Sequence, residues 1–339
     1  MLISMPTFRR ARGFKALLAL VVLAFGPGAA AAPTVVASIA PVHSLVAAVM
    51  QGVGVPRLLV PGGSSPHAHA LRPSDARAIE SATLLVWVGP GLENFLARPI
   101  TSLVREGEVL RLADTEGLHL LPLRDDHDHE HGHAGNRRQG DGHGNQQEPG
   151  GDAHVAAAGT GIDMHVWLDP ANAQRMVASI GAALARIDPA NAASYADNAA
   201  VLRERIAALD ERIADELAPL AGRRFVVFHD GFQYFEKRYG LASAGVLTVN
   251  PEVPPGAERV RRLRSRIATT GIGCVFVEPQ FPIAIAETLV EGSGARIGRI
   301  DPLGADLAPG AELYPRLLEA MAGSFRDCLA PVALPGRRD

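Results

Sequence analysis

The sequence predicts an α/β protein of two lobes, each with a mainly parallel sheet, joined by a long rigid helix. Three observations carry that prediction. Short β-branched runs alternate with helical periodicity, the alternation stops and then restarts past the middle of the chain, and one uninterrupted amphipathic stretch separates the two series. At 339 residues the chain is long enough to bury a large core and to divide into more than one domain.

In the first series, TVVASI leads to PVHSLVAAVM, RLLVP to a helix near SDARAIESA, and TLLVWVG to GLENFLARPITSLV, with VLRLAD as a last strand. In the second, RFVVFHD leads to FQYFEKRYG, AGVLTV to AERVRRLRSRIA, CVFVEP to IAIAETLVEG, and RIGRID to LYPRLLEAMAGSF. Between them, residues 189–218 are alanine-rich, with apolar side chains at helical spacing through Val201, Leu202, Ile206, Leu209, Ile213 and Leu217. A helix of that length runs on the order of 40 Å at 1.5 Å per residue. After Pro189 at its start, no glycine or proline interrupts it before Pro219, so limited lobe motion is expected. The expected division is therefore a lobe over 33–188, the linking helix over 189–218 and a lobe over 219–339.

Residues 1–32 read as an export signal. Arg9, Arg10, Arg12 and Lys15 form a positive region, Ala16 to Phe25 an apolar one too short to span a bilayer comfortably, and Ala29 to Ala32 offer a small-residue cleavage site. Arg9-Arg10 lacks the flanking residues of a twin-arginine signal. With no cysteine after the signal, the expected product is a periplasmic protein starting near Pro33, without a lipid anchor and not embedded in the membrane. The two cysteines, Cys274 and Cys328, fall on a predicted strand and a predicted helix end; in an exported protein such a pair reads as a structural disulfide, with metal thiolates as the competing reading. Thirty-three basic against 36 acidic residues give a net charge of -3, which offers no argument for nucleic acid or an anionic membrane.

From about 125 to 161 the composition turns to His, Asp, Gly, Gln and Asn, which cannot recover ordering entropy by burial; disorder is expected there. Its histidines, among them His127, His129, His131 and His133, are expected to act as weak auxiliary metal ligands, the bland alternative being a solubilising insert.

Three other histidines stand in well-formed local contexts: His67 in SSPHAHALRPSD, His165 in DMHVWLDP and His229 in RFVVFHD, and Asp301 closes RIGRID. In open α/β lobes ligands gather beyond the carboxyl ends of strands. His229 and Asp301 lie where predicted strands run out, His67 lies shortly after one, and His165 precedes a helix that Asp169 can cap and Pro170 can open. Each alone is best read as a surface or core histidine. At matching topological positions the four read as ligands converging in one cleft, and imidazoles with one carboxylate suit zinc before magnesium or calcium. His69 is an auxiliary ligand or a bystander. His43 is a helper donor or a surface residue. Glu278 either orients a ligand histidine or stabilises its lobe.

GGSSPHAHALRPSD, DMHVWLDP, FHDGFQYFEKRYG, FVEPQF and DPLG together resemble the high-affinity zinc-binding periplasmic proteins of ABC importers, the ZnuA type of the cluster A-I solute-binding family. The resemblance spans nearly the whole mature chain. It implies two lobes joined by a long helix, Zn²⁺ held between them by His67, His165 and His229, and Asp301 or a water in the fourth position. It also implies a disulfide between the cysteines, a monomer, and as partners a membrane permease and an ATPase. Manganese-binding relatives usually carry glutamate where His229 stands, and an imidazole there moves preference to zinc. An acidic residue precedes the first histidine in some members; here it is Pro66. The family's aromatic residue at the position of His69 favours the bystander reading. The alternatives are a manganese- or iron-binding or adhesin-type member, or a secreted zinc hydrolase. Against the last, no GxSxG nucleophile elbow is present and the separated ligands and two-lobe spine fit capture better, so the chain is expected not to be an enzyme.

Overall fold

The computed structural model describes residues 32–124, 161–249, 251 and 253–330. Histidines 127, 129, 131 and 133, and the export signal, lie outside the described residues.

In the first half, β1 (Val35–Ile39), β2 (Arg57–Val60), β3 (Leu84–Trp87) and β4 (Glu108–Arg111) alternate with α1 (Ala40–Val49), α2 (Pro73–Glu80) and α3 (Asn94–Leu103). They form a parallel sheet in the order β2-β1-β3-β4. Every residue of the two central strands, β1 and β3, is buried, because a parallel sheet is covered on both faces. The edge strand β4 has no fully buried residue.

Two helices follow, α4 (Pro170–Ile187) and α5 (Ala192–Leu217). The second half then repeats the pattern with β5 (Phe225–His229), α6 (Gln233–Arg238), β6 (Gly245–Thr248), α7 (Ala257–Thr270), β7 (Cys274–Val277), α8 (Ala284–Val290), β8 (Arg296–Arg299) and α9 (Leu313–Leu329). Its sheet runs β6-β5-β7-β8, parallel throughout, so both lobes share one strand order. The predicted fold class is the observed one.

The 26-residue α5 buries Tyr195, Ala199, Leu202, Ile206, Leu209, Ile213 and Leu217, a stripe at steps of three and four. Val201, counted with that stripe from the sequence, lies one position off it and is 66% exposed. The helix packs on α4, α1 and α9. One apolar cluster accordingly runs from the first sheet through α5 to the inner face of the second, and a smaller cluster covers the second sheet's outer face.

Hydrogen bonds also tie the halves together. Trp167 Nε1 donates to the Pro302 carbonyl (3.0 Å), Tyr314 Oη to the Trp167 carbonyl (2.7 Å), and Ser44 Oγ to the Ala311 carbonyl (3.1 Å). Tyr234 Oη donates to the Asp163 carbonyl (2.8 Å) and accepts from Leu121 N (3.0 Å). Gly62 sits so close to the other rim that a Cβ there would lie 2.9 Å from the Gly304 backbone. Cys274 at the start of β7 and Cys328 in α9 form a disulfide, with Cα atoms 6.0 Å apart.

Candidate metal centre

His229 is the last residue of β5, one of the two central strands of its sheet, so its side chain emerges where the strands end. His165 is fixed by a short turn, Val166–Leu168, and by the start of α4. There Asp169 Oδ1 accepts from Ala171 N (2.9 Å) and Pro170 takes the first helical position, as the sequence predicts. His67 lies in the loop between β2 and α2 and is steadied through Ser65 Oγ, which accepts from His67 N (3.3 Å).

The three imidazoles meet. One ring nitrogen from each lies within 4.8 Å of the others, and His165 Nε2 is 3.2 Å from His229 Nε2. Two nitrogens bound tetrahedrally to zinc at about 2.0–2.1 Å stand about 3.3 Å apart, so this spacing could hold a shared metal ion. His165 and His229 are buried, and His67 is partly so. Trp167, Phe281 and Leu303 close an apolar wall around them and leave a small cavity of about 10 Å³.

Two carboxylates orient the rings. His165 Nδ1 is 2.7 Å from Asp163 Oδ1, and His229 Nδ1 is 2.8 and 2.9 Å from the two oxygens of Glu278. An imidazole that donates from Nδ1 keeps the Nε2 lone pair free, and both Nε2 atoms face the shared space. Burial, then the other two imidazoles, hold the His67 pKa well below 6.5, so His67 is neutral and ready to ligate at neutral pH. Glycine is required at 231, where a Cβ would lie 2.4 Å from His229 Cε1 and 3.1 Å from His165 Nε2.

The fourth residue named from the sequence is not brought into this group. Asp301 Oδ1 accepts from Leu303 N (3.0 Å) and Gln280 Nε2 (3.2 Å), and its Oδ2 from Ala305 N (2.5 Å). His69 also lies apart, its ring against Phe95 at 5.1 Å between centroids. His43 is buried in α1 and bonds the Pro56 carbonyl (3.0 Å). Glu278 takes the orienting role that was one of its two readings. Asp163 was missed; the available signal was an aspartate two residues before a histidine, placed to accept from the His165 backbone N–H (3.0 Å) as well as its ring. Behind Asp163, Gln233 Nε2 donates to Asp163 Oδ2 (3.2 Å) and Asp230 Oδ2 (3.3 Å), and Arg124 pairs with Asp230 (3.1 Å) and Glu236 (2.6 Å).

A groove between two parallel α/β lobes, lined by donors from both, is the architecture of a two-lobed solute-binding protein. The profile of the family described as "Zinc-uptake complex component A periplasmic" matches residues 35–328, and the chain belongs to that family. It is 43% identical over 314 residues to the high-affinity zinc uptake system protein ZnuA of Brucella suis, covering 87% of this chain and 91% of that one. It is 41% identical to the protein of the same name from Paracoccus denitrificans, covering 89% and 94%. Among solved structures, the crystal structure of ZnuA aligns with TM-score 0.70 at 22% identity, over 88% of this chain and all of that one. A mutant of the laminin-binding adhesin Lmb from Streptococcus agalactiae aligns with TM-score 0.69 at 21% identity, over 88% and 99%. The last two likenesses speak to fold.

Proposed function

We propose that the chain is a periplasmic zinc receptor that captures Zn²⁺ on His67, His165 and His229 and hands it to an ABC-type importer. The convergence of these three side chains on one buried point carries the reading. An all-imidazole set, with no carboxylate in the group, favours zinc over manganese, whose preferred donors are oxygens. The names of the relatives, high-affinity zinc uptake proteins, support the same cargo. Zinc is the cargo here, and its release to a permease served by an ATPase is the functional event.

The same reading takes the chain as an exported monomer, freed of residues 1–32 and without a lipid anchor, that binds rather than turns over its ligand. No helix among the described residues is long and apolar enough to cross a membrane. The lobes over 33–188 and 219–339 and the helix joining them set the groove, and the histidine-rich insert adds weak zinc binding outside it. Calorimetric titration with Zn²⁺ and Mn²⁺ tests the assignment. One tight zinc equivalent is expected in the full chain and after deletion of 125–158, with the weaker sites lost in the deletion. Loss of the tight equivalent is expected in the His165→Ala/His229→Ala double variant. Tight zinc retained by that double variant would refute the assignment.

A further inference from the structure

Gln280 stands beside the histidines in the wall of the same cavity. One terminal atom of its amide is 2.7 Å from the Gly62 carbonyl and 3.2 Å from Asp301 Oδ1. Both neighbours can only accept, so that atom is the NH₂ group and the amide orientation is fixed. The other atom, Oε1, is therefore an acceptor. It is buried and has no hydrogen-bond partner among the described residues. Buried amide oxygens are rarely left unpaired, because desolvation goes uncompensated.

Asp301 is not free to take a coordination position without giving up three donors, two of them backbone N–H groups of its own turn. Charge argues the same way. Glu278 and Asp163, each bonded to a ligand histidine, already set two carboxylates against a dication. A neutral oxygen completes such a shell without excess negative charge.

We propose that Gln280 is a positioning residue for the fourth zinc ligand: its Oε1 accepts a hydrogen bond from the water that completes the shell. Asp301 acts through it by holding the amide. The inference rests on the zinc reading above, and it assigns the fourth position to a water chosen by Gln280 rather than to a carboxylate.

Two experiments on the full chain test it. The first is a crystal structure of the zinc-loaded protein. An oxygen bound to zinc and about 2.7–3.0 Å from Oε1 is expected. Zinc bonded directly to Oε1, or to Asp301 with no such oxygen, overturns the proposal whatever any variant does. The second compares zinc release to a chelator, and the visible spectrum of the cobalt-loaded form, between the native chain and Gln280→Met. Release about ten- to a hundredfold faster is expected, as for other partners outside the ligand set, together with shifted cobalt bands. A residue that merely bridges the lobes would leave the cobalt bands unmoved, so unchanged bands or unchanged release overturns the role. Tight zinc in the native chain with an indifferent Gln280→Met variant removes this inference alone. Failure of the native chain to bind one zinc removes the receptor reading with it.

Discussion

Both oxygens of Glu278 lie within 2.9 Å of His229 Nδ1, and this contact decides which nitrogen the ring offers to a metal. Glu278→Gln keeps the shape but lets an amide NH₂ face the ring nitrogen. Zinc affinity about 10- to 100-fold weaker is expected, measured by competition with a calibrated chelator; unchanged affinity would show that packing alone sets the ring. The clustered histidines were legible because each occupies a topological position that sequence periodicity can locate: a strand end, a post-strand loop, a helix start. Asp163 was not, since a loop carboxylate two residues from a histidine has no period to betray it. Asp301 was read as a ligand from its place after a strand. The competing physics was local: a short acidic side chain satisfies the N–H groups of the turn it begins.

Strands and helices were legible nearly throughout, because central parallel strands are continuous apolar runs and the covering helices are amphipathic. What periodicity could not show was how a buried carboxylate ties the elements together. Glu93, between β3 and α3, accepts from Ser38 Oγ (2.5 Å) and from the backbone of Val88 (3.1 Å) and Gly89 (2.9 Å). Burial nonetheless pushes its pKa from 4.5 up to about 7, the hydrogen bonds opposing only in part. A raised carboxyl pKa gives stability that is complete below the unfolded value and is lost as pH rises through the folded one. Relative to Glu93→Gln, which does not titrate, the native chain should lose about 3 kcal/mol between pH 4.5 and 8. Urea unfolding of both proteins at the two ends of that window checks it. The disulfide clamps β7 to α9 across a sequence separation of 54. Replacing both cysteines with alanine should lower stability by about 2–4 kcal/mol, read from the same denaturation curves.

At the scale of the whole molecule, a single apolar cluster and several direct hydrogen bonds join the lobes on either side of α5. Hinge motion would have to tear that cluster, so capture and release of the cation should leave the lobes in place. Small-angle scattering profiles of zinc-free and zinc-loaded protein are expected to superpose; a clear change in radius of gyration would contradict the welded arrangement. The sequence could suggest rigidity from an unbroken helix, but not the weld itself, which depends on contacts between residues far apart in the chain. Gly62 adds a consequence of its own. One methyl there would press on Gly304 and Ala305 across the rim. Enlarging it would part the two rims at the point where the Gly62 carbonyl fixes the Gln280 amide. Residence time is thus adjustable by a wedge in the doorway, without altering the identity of any side chain inside the room.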